Sequence, residues 1–168
     1  MTQKSGPTKS TPAASSREKS TGKELSPAET RTTELVRQRM KQSNSNEFLG
    51  FEVESVQAGR TTFVFDVQPR HKQIHGVVHG GILASLADTA GAIAAYTAVP
   101  PGVEIATLEL KINYLEPVPG GRVKAEAKVL RSGRNFIVTE CEIFNESGVM
   151  AAKALMTFSA ATGHSIKR

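Results

Sequence analysis

Between Lys72 and Glu104 the chain carries one formally charged side chain, Asp88, inside a run, residues 82–96, otherwise made of Ile, Leu, Ala, Gly, Ser, Thr and Tyr. A run of that length and composition predicts a helix apolar all round, and such a helix has to be enclosed. An unpaired carboxylate costs several kcal/mol to bury, so an acid at this place needs a reason. His79, Gly80 and Gly81 lead directly into the run. The two glycines leave the helix start unobstructed, and exposed backbone N–H groups there can hold developing negative charge. Together these features predict an active site: an oxyanion-binding helix start, and an acid about two and a half turns further on.

The surrounding elements narrow the fold. Helix is expected over residues 27–41, opened by Ser26, Pro27 and Glu29 and ended by residues 44–46. Strand is expected over 48–57, a turn at Ala58, Gly59 and Arg60, and a second strand over 61–67 with Phe63, Phe65 and Val67 on one face. Residues 69–78 read as a loop carrying His71 and His75, and the central helix runs from 79 or 80 to about 97, ahead of Pro100 and Pro101. Four strands follow, over 104–115, 122–130, 135–144 and 149–160, the first with Leu108, Leu110 and Ile112 sharing a face. Short turns make these strands antiparallel. The economical cover for the helix is a sheet wrapped around it, which is an α+β architecture.

The 168 residues suit one domain with tails. Residues 1–24 are Ser-, Thr-, Lys- and Pro-rich without apolar periodicity and are expected to be a disordered polar tail. Residues 25–46 are assigned to an N-terminal helix, 47–161 to the main domain and 162–168 to a C-terminal tail. The net charge of +5 comes partly from the first tail. No zinc-ligand spacing, aromatic-basic strand motif or helix-turn-helix accompanies it, so no nucleic-acid partner is expected, whereas a positive rim suits an anionic small molecule. The run at 82–103 is interrupted by Asp88, Gly91 and two prolines, which argues against a membrane span. A cytoplasmic protein is expected. Cys141 is the sole cysteine and shares strand parity with Ile137, Thr139 and Ile143, which predicts a buried, inert thiol and no disulfide. His71, His75 and His79 form a spaced series without acidic partners, so no metal is expected.

This order of elements resembles the hotdog-fold acyl-CoA thioesterases. The residues that carry it are His79-Gly80-Gly81 leading into Leu86-Ala87-Asp88, and later Asn113-Tyr114-Leu115-Glu116-Pro117. The likeness is to the phenylacetic-acid-pathway branch (PaaI-like), over roughly residues 48–160. It implies an antiparallel sheet around a central helix, pairing of two units into a continuous sheet, and often a homotetramer. It also implies active sites at the dimer interface, where Asp88 of one subunit faces the 79–81 helix start of the other. The activity implied is hydrolysis of acyl-CoA to free acid and coenzyme A without a cofactor. The Gly80 N–H would serve as oxyanion donor and Asp88 as general base or nucleophile. By the same resemblance Gln73, six positions before His79, contacts the thioester carbonyl, and Thr107 helps hold the water. His79 shapes the loop or helix cap. Asp rather than Glu at position 88 favours the branch named. Gly81 is counted with the substrate-binding residues, and Arg131 and Arg134, flanking a turn, are candidates for the coenzyme A phosphates.

Each of these positions has a plainer reading. Asp88 could be a structural acid, Gly80 and Gly81 a close packing contact, and Gln73, Thr107, Arg131 and Arg134 ordinary loop, strand and turn residues. The competing function is a non-catalytic acyl-CoA-binding or regulatory module. Hydratase chemistry is disfavoured because the chain has no Asp-x-Asn-x-x-His arrangement.

Overall fold

The computed structural model describes residues 25–162, so the two tails assigned from sequence lie almost wholly outside the described residues. Helix α1, Pro27–Met40, opens on a reciprocal cap in which Ser26 Oγ accepts from Glu29 N–H and Glu29 Oε2 accepts from Ser26 N–H. A second helix, α2, follows at Asn44–Leu49. The sheet strands are β1 Glu52–Gln57, β2 Arg60–Asp66, β3 Val103–Tyr114, β4 Arg122–Ser132, β5 Phe136–Phe144 and β6 Met150–Thr162. The central helix, α3, spans Gly80–Tyr96.

All six strands form one antiparallel sheet in the order β1-β2-β4-β5-β6-β3. It curls around α3. Leu83, Leu86, Ala87, Ala90, Gly91, Ala94 and Ala95 face inward from the helix. They meet Phe63, Phe65, Val123, Ile137, Cys141, Ile143, Met156 and Phe158 from the sheet, every one of them buried. Each large apolar side chain so enclosed contributes about 1.5–3 kcal/mol. At Gly91 an added Cβ would lie 2.6 Å from Met156 Cε, so helix and sheet touch there with no room between them. This is the α+β hotdog arrangement. No helix among the described residues is long and apolar enough to cross a membrane.

Three sequence expectations are corrected. Residues 48–51 are not strand: Phe48 and Leu49 finish α2, which Ser43 opens by accepting from Asn46 N–H. Gly50 closes it at φ +67°, the left-handed conformation that glycine adopts without penalty. Leu108 does not share a face with Leu110 and Ile112, because the β3–β6 register shifts between Thr107 and Glu109 and leaves Leu108 exposed. Nor is α3 enclosed on all sides. Ser85, Asp88, Thr89, Ala92, Ile93 and Tyr96 keep partial or full exposure, since the sheet wraps one side of the helix only.

Candidate active site

The start of α3 is held from several directions. His79 N–H donates to His71 O at 2.8 Å and Val78 N–H to Val118 O at 2.8 Å. His79 sits in extended conformation as N-cap, its Nδ1 accepting from Gly81 N–H at 2.9 Å. Tyr114, at the end of β3, donates its hydroxyl to Gly80 O at 2.9 Å. Its ring fills the space a side chain at 80 would need, with Cζ 2.9 Å from the place of an added Cβ. Glycine at 80 therefore follows from a close approach, and Tyr114 is what approaches. With Gly81 N–H taken by the cap, Gly80 N–H donates to no described residue and points out of the first turn.

Asp88 lies on the open side of α3, partly buried. Thr107 Oγ1 donates to Asp88 Oδ1 at 2.9 Å, across nineteen residues of sequence. Thr107 is the last regular residue of β3 before the bulge at Leu108. The second carboxylate oxygen, Oδ2, accepts from no described residue. It is thus open to a further partner.

Gly80 and Asp88 stand eight residues apart on one helix, about 12 Å along the axis and some 80° apart around it. A donor and a base acting on one carbonyl must both lie within about 3 Å of the reacting atoms. One copy therefore brings Asp88 to Thr107, and His79 to Gly80 and Gly81, but not the acid to its own helix start.

Gln73 closes the tight turn below the helix start, its N–H donating to Val77 O at 2.9 Å and its carbonyl accepting from Gly76 N–H at 2.9 Å. Its side chain is partly exposed. Arg131 and Arg134 are exposed at the β4–β5 turn, where Ser132 Oγ donates to Ala98 O just beyond the end of α3. They stand at the opposite end of the helix from Gly80.

The histidines divide by role. His71 is buried at 1% exposure, edge-on to Phe65 with ring centroids 4.9 Å apart. Its Nδ1 accepts from Gln68 N–H at 3.1 Å, and Arg70 Nε lies 3.3 Å from its Nε2. Burial, and after it the charge of Arg70, hold its pKa below the ordinary value. His75 is exposed on the turn, and His79 caps the helix. Among the described residues no three His, Cys, Asp or Glu side chains are grouped as a metal site. Sequence reasoning missed His71 as the anchor whose carbonyl fixes His79, and Tyr114 as the brace on Gly80. Tyr114 was visible only as part of a motif, and nothing in the spacing marks His71 as buried.

A sheet curled around one helix, with an acid on that helix and a capped, open helix start, defines a thioester hydrolase of the hotdog class. The chain belongs to the thioesterase superfamily. The family model of that name matches residues 75–152. A 1,4-dihydroxy-2-naphthoyl-CoA hydrolase of Listeria monocytogenes is 31% identical over 101 residues, which is 60% of this chain and 82% of that protein. The crystal structure of a Haemophilus influenzae thioesterase is similar with a TM-score of 0.75 and 27% identity, over 81% of this chain and 94% of that one. The Escherichia coli PaaI protein from the phenylacetic acid degradation operon shares the fold, at TM-score 0.73 and 24% identity over 80% and 96% of the two chains.

Proposed function

We propose that the chain hydrolyses acyl-CoA thioesters to free acid and coenzyme A at a site built from two copies. The observation that carries this reading is the Asp88 carboxylate, fixed through one oxygen by Thr107 and open at the other. Since Asp88 is too far from its own Gly80, the oxyanion donor comes from a second copy. Strand β3 suits the junction. It is an edge strand of 12 residues paired with β6 alone among the described strands, and it carries Thr107. Such an edge, left bare, is a template for pairing with another chain.

In this reading the thioester oxygen lies against Gly80 N–H of one copy, which polarises the carbonyl. Asp88 of the other copy takes a proton from water through Oδ2 as the water oxygen bonds to the carbonyl carbon. The tetrahedral oxyanion is stabilised by the Gly80 N–H and the positive end of α3. It collapses with cleavage of the C–S bond, and the proton on Asp88 passes to the departing sulfur. Thr107 keeps the carboxylate aimed, and His79 and Tyr114 keep the donor aimed. Gln73, six residues ahead of His79, is assigned to the same carbonyl. Arg131 and Arg134, at the other end of α3, are given no part.

The test is thiol release from a panel of acetyl-, hexanoyl-, palmitoyl-, benzoyl- and phenylacetyl-CoA, with wild type beside Asp88→Asn. Loss of a general base lowers turnover by about 10²–10⁴. An Asp88→Asn enzyme that folds, keeps its oligomeric state and turns over at wild-type rates would remove the carboxylate from the mechanism.

A further inference from the structure

A groove of about 650 Å³ runs between α1 and the last turns of α3, walled by Thr32, Val36, Met40, Val56, Ile93 and Tyr96 among others. Its volume and mainly apolar lining are those of a small-molecule site. Much of its wall comes from α1 and β1, ahead of the residues that the family model matches. Resting on the hydrolase reading above, we infer that this groove receives the distal part of a medium- or long-chain alkyl acyl group and sets the enzyme's chain-length preference.

Position relates the groove to the chemistry. Ala92 and Tyr96 follow Asp88 by four and eight residues, so all three lie on one face of α3. That is the face the sheet leaves open. Ala92 is small enough for a chain to pass over, and Tyr96 also lines the groove. The open face and the groove therefore meet at Tyr96, about 12 Å along the helix from Asp88. An acyl carbonyl held at Asp88 can send an alkyl chain along Ala92 into the groove. A benzoyl or phenylacetyl group, whose ring sits beside the carbonyl, ends short of it.

The wall chemistry selects hydrocarbon over peptide. Thr97 Oγ1 already accepts from Gly59 N–H at 2.8 Å and lies 3.2 Å from Gln57 O and 2.7 Å from Ala94 O. Thr32 Oγ1 donates to Ala28 O at 3.0 Å, and Val56 has both backbone groups bonded to Thr33. The wall's other polar side chains, Glu29, Arg39 and Gln57, are too few to pair the N–H and C=O groups of a peptide strand laid here, and those left unpaired would be costly. An alkyl chain has none to satisfy.

The test substitutes Thr32→Phe, at an exposed position on the α1 wall, with Val36→Trp as a second filling variant, both in the full chain. The readout is kcat/KM for acetyl-, butanoyl-, phenylacetyl-, dodecanoyl- and hexadecanoyl-CoA. Losing the burial of two methylenes costs about tenfold. Dodecanoyl and hexadecanoyl turnover should therefore fall by at least that factor, through KM, with the three short substrates changed less than about twofold. Binding of dodecanoyl-CoA to Asp88→Asn by calorimetry should weaken in parallel when Thr32→Phe is added, and butanoyl-CoA binding should not. A folded variant with the wild-type chain-length profile would overturn the inference, and so would an equal loss on every substrate. A changed oligomeric state with an unchanged profile would assign the groove to a contact between copies and overturn it too. A wild type silent on every thioester would instead defeat the hydrolase reading beneath it.

Discussion

The contact between Tyr114 and Gly80 allows a quantitative test of how the helix start is held. In Gly80→Ala the new methyl would lie 2.9 Å from Tyr114 Cζ, 3.1 Å from its hydroxyl oxygen and 3.2 Å from Cε1. Carbon atoms prefer about 3.5–4.0 Å, so the ring has to retreat by roughly half an ångström or more. The hydroxyl then loses its bond to Gly80 O, 2.9 Å long, at about 0.5–1.5 kcal/mol. Repacking a crowded contact costs about 1–3 kcal/mol, and the helix regains at most about 1 kcal/mol from replacing Gly by Ala. Tyr114 is 52% exposed and can yield outward, which favours the lower part of that range. Gly80→Ala should therefore destabilise by about 1–2 kcal/mol. In a Tyr114→Ala background the three nearest contacts of the methyl are gone, and the same substitution should be neutral or slightly stabilising. Urea unfolding of wild type, both single variants and the double variant closes the cycle, with an expected coupling near 2 kcal/mol. Additivity within about 0.5 kcal/mol would refute the argument that Tyr114 is what excludes a side chain at 80.

Further outcomes follow from the same geometry. Thr107→Val removes the donor to Asp88 Oδ1 at an exposed position. Stability should change by less than about 0.5 kcal/mol, while kcat falls about tenfold or more, as expected for a hydrogen bond to a charged group, and Thr107→Ser should restore most of the rate. His71 is held neutral by burial and by Arg70, with its folded pKa below the ordinary 6.5. Its contribution is complete above 6.5 and is lost as pH falls through that value towards the folded pKa, because the unfolded chain binds the proton first. The urea midpoint should fall with acidification, and His71→Phe should flatten that part of the profile. Cys141 is fully buried and its thiol is pushed up to about 12, so a disulfide-forming thiol reagent should leave the native protein unlabelled and react on unfolding.

How much of this was legible in the sequence depended on whether the signal was local. The bounds of α3 were readable because a capping histidine, two glycines and two prolines enclose an apolar run with a single charge. The sheet strands were readable because alternation and short turns recur. Helix α2 was missed although both its cap residues, Ser43 and Gly50, are visible, since Phe48 and Leu49 run directly into Phe51 and Val53 and read as the start of one strand. The bulge at Leu108 was not readable at all, because the register of β3 is set by β6, more than forty residues on. Thr107 entered through the family resemblance and not through spacing. Its approach to Asp88 depends on that bulge and on the lie of β3 beside α3.

The open side of α3 joins these points. Composition says that a helix is apolar on every face, but it does not say what covers each one, and here the sheet covers only the side centred on Leu86, Ala87, Ala90 and Ala94. The uncovered side carries Asp88, Ala92 and Tyr96, each turned about 40° from the last, beside the edge of β3 that no other described strand pairs. A protein gains nothing in stability by leaving apolar helix surface in water. The proposed second copy and the proposed acyl chain supply the missing cover, the copy at the Asp88 end and the hydrocarbon at the Tyr96 end. On this reading the lone carboxylate is tolerable for the same reason that it is useful. It lies at the boundary of a core that is complete only when substrate and partner are both present, where one oxygen is satisfied by Thr107 and the other is kept for water.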